Sequence, residues 1–81
     1  MRDLTTLYLT GANIRGSGLA HLSGLSQLQV LGLVRTKVGD EAIDHLVRFQ
    51  ELQTLILVYT EISLDGIRRI HRDLPRTEIR Y

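Results

Sequence analysis

The side chains that could do chemistry in this chain include three histidines. His21 and His45 lie 24 residues apart, and His71 follows 26 residues after His45. A metal site needs three or four ligands that converge on one point. Two histidines at the same position of a repeated unit supply at most two ligands. His71 lies two residues beyond the equivalent position of the third unit. We therefore predict no metal site and no bound cofactor.

Acids and serines are the other candidates for chemistry. Asp40, Glu41 and Asp44 are close in sequence, but on a helix only Asp40 and Asp44 share a face. Acids are also common in the first turn of a helix, where they favour its dipole. None of the serines lies in a G-x-S-x-G phrase. We predict no catalytic residues and no enzymatic activity; the serines concerned are Ser17, Ser23, Ser26 and Ser63.

All of these side chains are held by secondary structure that follows a 24-residue repeat, marked by a recurring leucine phrase. The phrase L-x-x-L-x-L begins at Leu4, Leu28 and Leu52. Its alternation predicts a strand, because successive side chains of a strand point to opposite faces. Later in each unit, apolar residues three apart predict one face of a helix. These pairs are Leu19 with Leu22, Ile43 with Leu46, and Ile67 with Ile70.

This phrase, with Thr36 and Thr60 in a slot that often holds Asn or Cys, resembles the leucine-rich repeat family. It is most similar to the Thr-type 24-residue repeats of bacterial proteins, which resemble the cysteine-containing subfamily. The resemblance implies an α/β solenoid, with a parallel sheet of about four strands on the concave side and three helices on the convex side. We predict strands near 6–9, 30–33, 54–57 and 78–81, and helices near 17–23, 40–48 and 64–72.

The 24-residue spacing also predicts the domain organisation. We expect a single domain, residues 1–81, with repeats 4–27, 28–51 and 52–75 and a terminal strand within 76–81. Pro75 ends the last helix, because proline disfavours helical geometry in the residue before it. Ile79 and Tyr81 then fall where Leu55 and Leu57 would recur.

Each strand must leave the sheet within a few residues, and a side chain that bonds to loop backbone can relieve the exposed polar groups there. We expect Thr36 and Thr60 to do this. The first repeat has Ala12 in the slot with Asn13 beside it, so we expect a looser first turn.

The starts of the three helices differ in quality. Ser63 is a good N-cap, Gly39 and Asp40 serve that role less well, and Arg15 is a poor choice. Gly16 and Gly18 would cost about 0.5–1 kcal/mol each relative to alanine if helical. The first helix should therefore be short or partly irregular.

The prediction of function depends on the concave face, which is the exposed side of the predicted sheet. If the leucines point inward, the residues between them point outward. Apolar residues flanked by tyrosine and arginine are typical of protein-binding surfaces, although valine and isoleucine also follow from strand propensity alone. We predict a non-enzymatic module, alone or as the C-terminal part of a larger scaffold or adaptor, that binds another protein. The expected contact residues are Tyr8, Val30, Gly32, Val34, Arg35, Ile56, Val58 and Tyr59, with Gly32 leaving a hollow.

A basic C-terminal segment supports an alternative. Residues 66–81 carry a net charge of +3, against −2 for residues 1–65. This segment could bind a polyanion, either nucleic acid or a phosphorylated ligand. No aromatic stacking platform accompanies the arginines, so we do not expect nucleic acid as the partner. The arginines are Arg68, Arg69, Arg72, Arg76 and Arg80.

Composition favours a cytoplasmic location, and an exported parent protein remains compatible with it. It has 81 residues, a net charge of +1 and no cysteine, and no apolar run approaches the ~18 residues of a membrane span. Met1, Arg2 and Asp3 leave no room for a cap over Leu4 and Leu7. We therefore expect either self-association through the first repeat, the tail of a longer protein, or a marginally stable short chain.

Overall fold

The computed structural model describes residues 4–11, 14–22 and 24–81. The predictions for the turn at Ala12 and Asn13 and for the cap at residues 1–3 lie outside the described residues. Four strands and three α-helical segments follow one another within these described residues. They are β1 (Thr6–Tyr8), α1 (Gly16–Leu19), β2 (Val30–Gly32), α2 (Ile43–Leu46), β3 (Thr54–Ile56), α3 (Leu64–Asp73) and β4 (Glu78–Arg80).

The strands form one parallel sheet in the order β1-β2-β3-β4. Partners across the sheet are 24 residues apart: Leu7 pairs with Leu31, Leu31 with Leu55, and Leu55 with Ile79. Hydrogen bonds extend this ladder beyond the strands, since the Leu9 amide donates to the Gly32 carbonyl at 2.8 Å. The sequence period is therefore the step from one coil of the solenoid to the next.

The core lies between the sheet and the helical layer. Leu31, Leu33 and Leu55 are fully buried, and Leu57 is 3% exposed. From the helical side, the apolar pairs at three-residue spacing face the same core, although Leu22 is only half-buried. The alternating leucines of the strands and the apolar pairs of the helical segments thus form a single buried layer.

The prediction of three regular helices on the convex side was wrong. Among the described residues, α3 is the one continuous helix of ten residues. In the first repeat, α1 has four residues and passes into a 3₁₀ segment, Ala20–Leu22; in the second, a 3₁₀ segment, Asp40–Ala42, precedes the four residues of α2. The predicted ranges 17–23 and 40–48 were therefore too regular.

Capping explains this difference. Arg15 and Gly39 precede the first two segments and make no side-chain cap hydrogen bond. Ser63 precedes α3, and its hydroxyl accepts a hydrogen bond from the Gly66 amide at 3.0 Å. A side-chain acceptor at the N-cap satisfies a backbone donor that would otherwise lack a partner. The predicted role of Ser63 is confirmed.

Neighbouring coils also meet at the start of α3. Asp40, in the second repeat, accepts hydrogen bonds from the Ser63 amide at 2.8 Å and from the Ser63 hydroxyl at 2.7 Å. Gly66 allows this approach, because a Cβ there would lie 2.5 Å from Oδ1 of Asp40. The first turn of α3 is thus held by the preceding coil.

The threonines that follow the strands differ from one another. Thr60 donates its hydroxyl to the Leu57 carbonyl at 2.9 Å, as predicted. The same prediction is wrong for Thr36, which is buried but whose Oγ1 has no hydrogen-bond partner among the described residues. Thr77, which precedes β4, makes a different bond that the sequence did not suggest, from its buried hydroxyl to the Leu52 carbonyl of the preceding coil at 2.8 Å.

Candidate functional site

The open sheet face is the side of the sheet that points away from the helical layer. Four of its side chains are half-buried and apolar and lie on or just after β2 and β3: Val30, Val34, Ile56 and Val58. Two tyrosines flank them, Tyr8 at 59% exposure and Tyr59 at 73%. Val30, Val34, Ile56 and Val58 thus share one side of the sheet by strand alternation, and Arg35 and Tyr59 lie in the turns that follow β2 and β3.

Gly32 does not leave the hollow that we expected. The Tyr8 ring lies over it, since a Cβ built on Gly32 would be 2.5 Å from Cδ1 of Tyr8. Gly32 is consequently buried. Glycine at this position lets a tyrosine from the neighbouring strand lie flat across the sheet, so the hollow is filled by an aromatic surface.

A backbone feature recurs at the rim where the chain leaves each strand. Gly11, Arg35 and Tyr59 have φ values of 69°, 58° and 59°. These residues are 24 apart, so the coil requires a left-handed residue at this point. Glycine adopts this conformation without a steric penalty, whereas a bulky residue costs about 1–3 kcal/mol. Two coils retain a large side chain in this unfavourable geometry.

The two large side chains contact each other. The Arg35 guanidinium carbon is 5.6 Å from the centroid of the Tyr59 ring, within the range of a cation–π interaction. The Arg35 amide also donates to the Val58 carbonyl at 3.0 Å, which fixes the spacing of the two coils. Arg35 makes no ion pair with an acid of the part that the structure describes, residues 4–11, 14–22 and 24–81.

The left-handed geometry at this rim was missed from the sequence. A signal was present, because Gly11 occupies the position of Arg35 and Tyr59 in the first repeat. A glycine that aligns with two bulky residues suggests a positive φ at all three positions. The contact between the two side chains also depends on their rotamers, which the sequence does not specify.

The arginine-rich segment is largely paired with acids of the same chain. Arg68 lies 3.8 Å from Asp65, and Arg72 lies 3.6 Å from Asp73. Arg69 contacts Asp44 of the preceding repeat. These three arginines lie on α3, so three carboxylates offset the charge of the helix.

The end of the chain has the same character. Arg80 donates to Glu78 at 2.6 Å, and this hydrogen bond, together with the charge of Glu78, raises the pKa of the Arg80 guanidinium. Arg76 is exposed. Four of the five arginines predicted as an alternative site, Arg68, Arg69, Arg72 and Arg80, are thus paired with acids of the same chain.

The remaining chemistry-bearing residues do not converge. Asp40 serves as a partner of Ser63, and the Ser63 hydroxyl, followed by its amide, lowers the pKa of this carboxyl from its ordinary value of 3.8. His21 is exposed, while His45 is half-buried. Within residues 4–11, 14–22 and 24–81, no group of three or more potential ligands could hold a metal ion.

Comparison with solved structures found a protein of similar architecture. The fold is similar to that of a leucine-rich repeat protein from Leptospira interrogans, with a TM-score of 0.65 and 24% sequence identity. The match covers 98% of this chain and 26% of that protein. No protein-family model matches the sequence, and no significant similarity to a curated protein was found.

The protein therefore has a leucine-rich repeat fold, built from parallel strands on one side and short helical segments on the other. It spans about a quarter of the length of the Leptospira protein that it resembles. Across the described residues, none of the helices is long and apolar enough to cross a membrane.

Proposed function

We propose that this chain is a protein-interaction module whose partner binds the open sheet face. The observation that supports this most strongly is the Arg35–Tyr59 pair, in which two bulky residues occupy a left-handed position. Unfavourable backbone geometry that persists in a fold often marks a functional position. The pair adjoins the apolar strip of Val34, Ile56 and Val58.

The composition of the face fits a protein partner. Tyrosine and arginine are enriched among the residues that contribute most to binding energy at protein interfaces. Tyr8 and Tyr59 present large, mostly exposed rings on either side of half-buried aliphatic groups. In the described part of the chain no helix lies on this side of the sheet. A partner would bury an apolar centre with a polar and aromatic rim.

The ion pairs of α3 argue against a polyanion as the main partner. Binding of nucleic acid gains much of its free energy when lysine and arginine replace condensed counterions. Arg68, Arg69 and Arg72 already contact carboxylates, so a phosphate would have to compete with Asp65, Asp44 and Asp73. Such exposed pairs are individually weak, but together they reduce the net charge that a polyanion would meet.

Selection from a displayed library of short random peptides tests the proposed site without knowledge of the natural partner. Peptides enriched on the wild-type chain should lose binding to Ile56→Asp and to Tyr59→Ala. They should retain binding to the Arg68→Glu/Arg72→Glu double variant. Thermal unfolding of each variant serves as the control for folding, since Ile56 and Tyr59 project away from the buried core.

The opposite pattern would contradict the proposal. If the selected peptides bind Ile56→Asp and Tyr59→Ala normally but fail to bind the charge-reversed α3, the convex side is the interaction surface. Steep weakening of that binding with added salt would then favour the polyanion function.

A further inference from the structure

The rim of the open sheet face has a chemistry of its own. Arg35 and Tyr59 are both exposed and both left-handed, and the Arg35 guanidinium carbon lies 5.6 Å from the centroid of the Tyr59 ring in the next coil. The coil itself does not need these side chains, because Gly11 fills the same position in the first repeat. Their presence therefore calls for an explanation beyond the fold.

The Arg35 guanidinium is available to an anionic ligand. A guanidinium carries its N–H donors in the plane of the group, in a fork that matches the two oxygens of a carboxylate. Arg35 makes no ion pair with an acid of the described residues, so these donors can meet a carboxylate of a partner. The cation–π contact with Tyr59 favours this position of the Arg35 side chain, so less conformational entropy is lost on binding.

Local charge favours an acidic ligand at this rim. Lys37 lies two residues beyond Arg35 and is exposed. The acid at the position equivalent to Lys37 in the next coil is Glu61. Glu61 makes no ion pair with Arg35 or Lys37 in the described parts of the chain. By contrast, Arg80 on β4 is already paired with Glu78.

We infer that the partner of the open sheet face is a polypeptide segment that places a carboxylate on the Arg35 guanidinium and an apolar side chain against Val34 and Val58. The carboxylate belongs to an aspartate or glutamate side chain or to a chain terminus. This inference rests on the proposed function, since it names the chemistry of the partner at the same face. It assigns Arg35 as the residue that selects the partner and Tyr59 as the residue that positions the Arg35 side chain.

Replacement by glycine provides the structural control. Arg35→Gly and Tyr59→Gly introduce the residue that the first repeat carries, at a φ that glycine tolerates. Both variants should keep or raise the melting temperature. A clear fall in the melting temperature would show instead that the contact between Arg35 and Tyr59 serves to hold neighbouring coils together.

A double-mutant cycle tests the carboxylate contact. Peptides selected on the wild-type chain from a random displayed library should be enriched in aspartate or glutamate next to an apolar residue. Binding of a selected synthetic peptide should weaken about tenfold on Arg35→Gly, the change expected for ~1.4 kcal/mol. Exchange of the peptide acid for its amide should cause a similar loss. The two changes together should cost little more than either alone, because they remove the same interaction.

Several outcomes separate this inference from the broader function. One outcome is that selected peptides fail to bind Ile56→Asp, yet bind Arg35→Gly normally and show no enrichment of aspartate or glutamate. In that case the face binds proteins and the carboxylate assignment is wrong. Additive effects of the two changes would also overturn it. If peptides bind elsewhere on the chain, the proposed function itself fails.

Discussion

Asp40 joins the second and third repeats through a single side chain. Both of its carboxylate oxygens accept hydrogen bonds from Ser63, and Ser63 in turn caps α3 through the Gly66 amide. These bonds favour the charged carboxylate and lower its pKa from 3.8. The folded state therefore binds this proton more weakly than the unfolded chain does, and stability becomes linked to pH.

The sign of this linkage gives a first prediction. A lowered pKa contributes stability that is fully present above 3.8 and is lost as the pH falls through the lower value of the folded state. Asp40→Ala should thus be less stable than wild type at neutral pH, and this difference should shrink as the pH drops below 3.8. Urea unfolding at a series of pH values measures it.

Asp40→Ala in a Ser63→Ala background provides the comparison, because Ser63→Ala removes the hydroxyl that donates to Asp40. In that background the stability difference should depend less on pH, since this hydroxyl is the main cause of the lowered pKa of Asp40. A constant difference for Asp40→Ala would mean that the hydrogen bonds from Ser63 do not favour the charged form.

At the scale of elements, the strands show how far the core extends along the stack. Leu7, Leu31 and Leu55 hold the same position in β1, β2 and β3 and pair in register. Leu31 and Leu55 are fully buried, while Leu7 is half-buried. The middle of the array therefore has a complete apolar environment, and the first strand has a partial one.

Alanine substitutions at this position should reflect the difference. Leu31→Ala and Leu55→Ala should each cost about 2–5 kcal/mol, the range for large-to-small changes in a packed core. Leu7→Ala should cost less, because less apolar area is lost from the interior. Urea midpoints of the three variants give the order. An equal loss at Leu7 would show that β1 is as well covered as the inner strands.

The sheet was predictable from the sequence almost to the residue. Strands expected near 6–9, 30–33, 54–57 and 78–81 begin at Thr6, Val30, Thr54 and Glu78. The reason is that the leucine period fixes both the spacing of the coils and the side of each strand that is buried. A shift of one residue would turn every leucine outward.

The helical segments were less predictable, because their length depends on competing local effects. α3 has a serine cap and runs for ten residues, whereas α1 and α2 have no side-chain cap bond and run for four. The apolar spacing predicts which face is buried. It does not predict whether a segment adopts α or 3₁₀ geometry.

The candidate site was predicted only as a set of positions. Alternation along the strands indicated which residues share the open sheet face. It could not show that the Tyr8 ring covers Gly32, or that the Arg35 guanidinium makes a cation–π contact with Tyr59. Both contacts depend on side-chain torsions between neighbouring coils, and these are set by packing.

At the scale of the whole molecule, the sheet has two outer edges. In the order β1-β2-β3-β4, neither β1 nor β4 pairs on its outer side with another described strand. Unpaired strand edges can pair with another chain. The edge at β1 also leaves Leu4, Leu7 and Leu9 half-buried.

We therefore expect the 81-residue polypeptide to associate as its concentration rises, through the first repeat. A two-fold dimer is the simplest form, because one self-complementary patch closes the assembly. Sedimentation over a range of concentrations measures it, and Leu7→Lys should weaken the association. Circular dichroism of this variant verifies that the fold is kept.

Hydrogen exchange offers an independent measurement. In a monomer, the amides of residues 4–9 should exchange faster than those of residues 28–33, and association should slow them. A monomer at every concentration, with equal protection of both segments, would show that the first repeat needs no cover.

The hydrogen bonds between Asp40 and Ser63 also bear on the order of events in folding. The first turn of a helix is the costly step, since several residues are fixed for one hydrogen bond. At α3 the groups that ease this step come partly from the second repeat. Helix α3 is thus expected to form after β2 and β3 have paired.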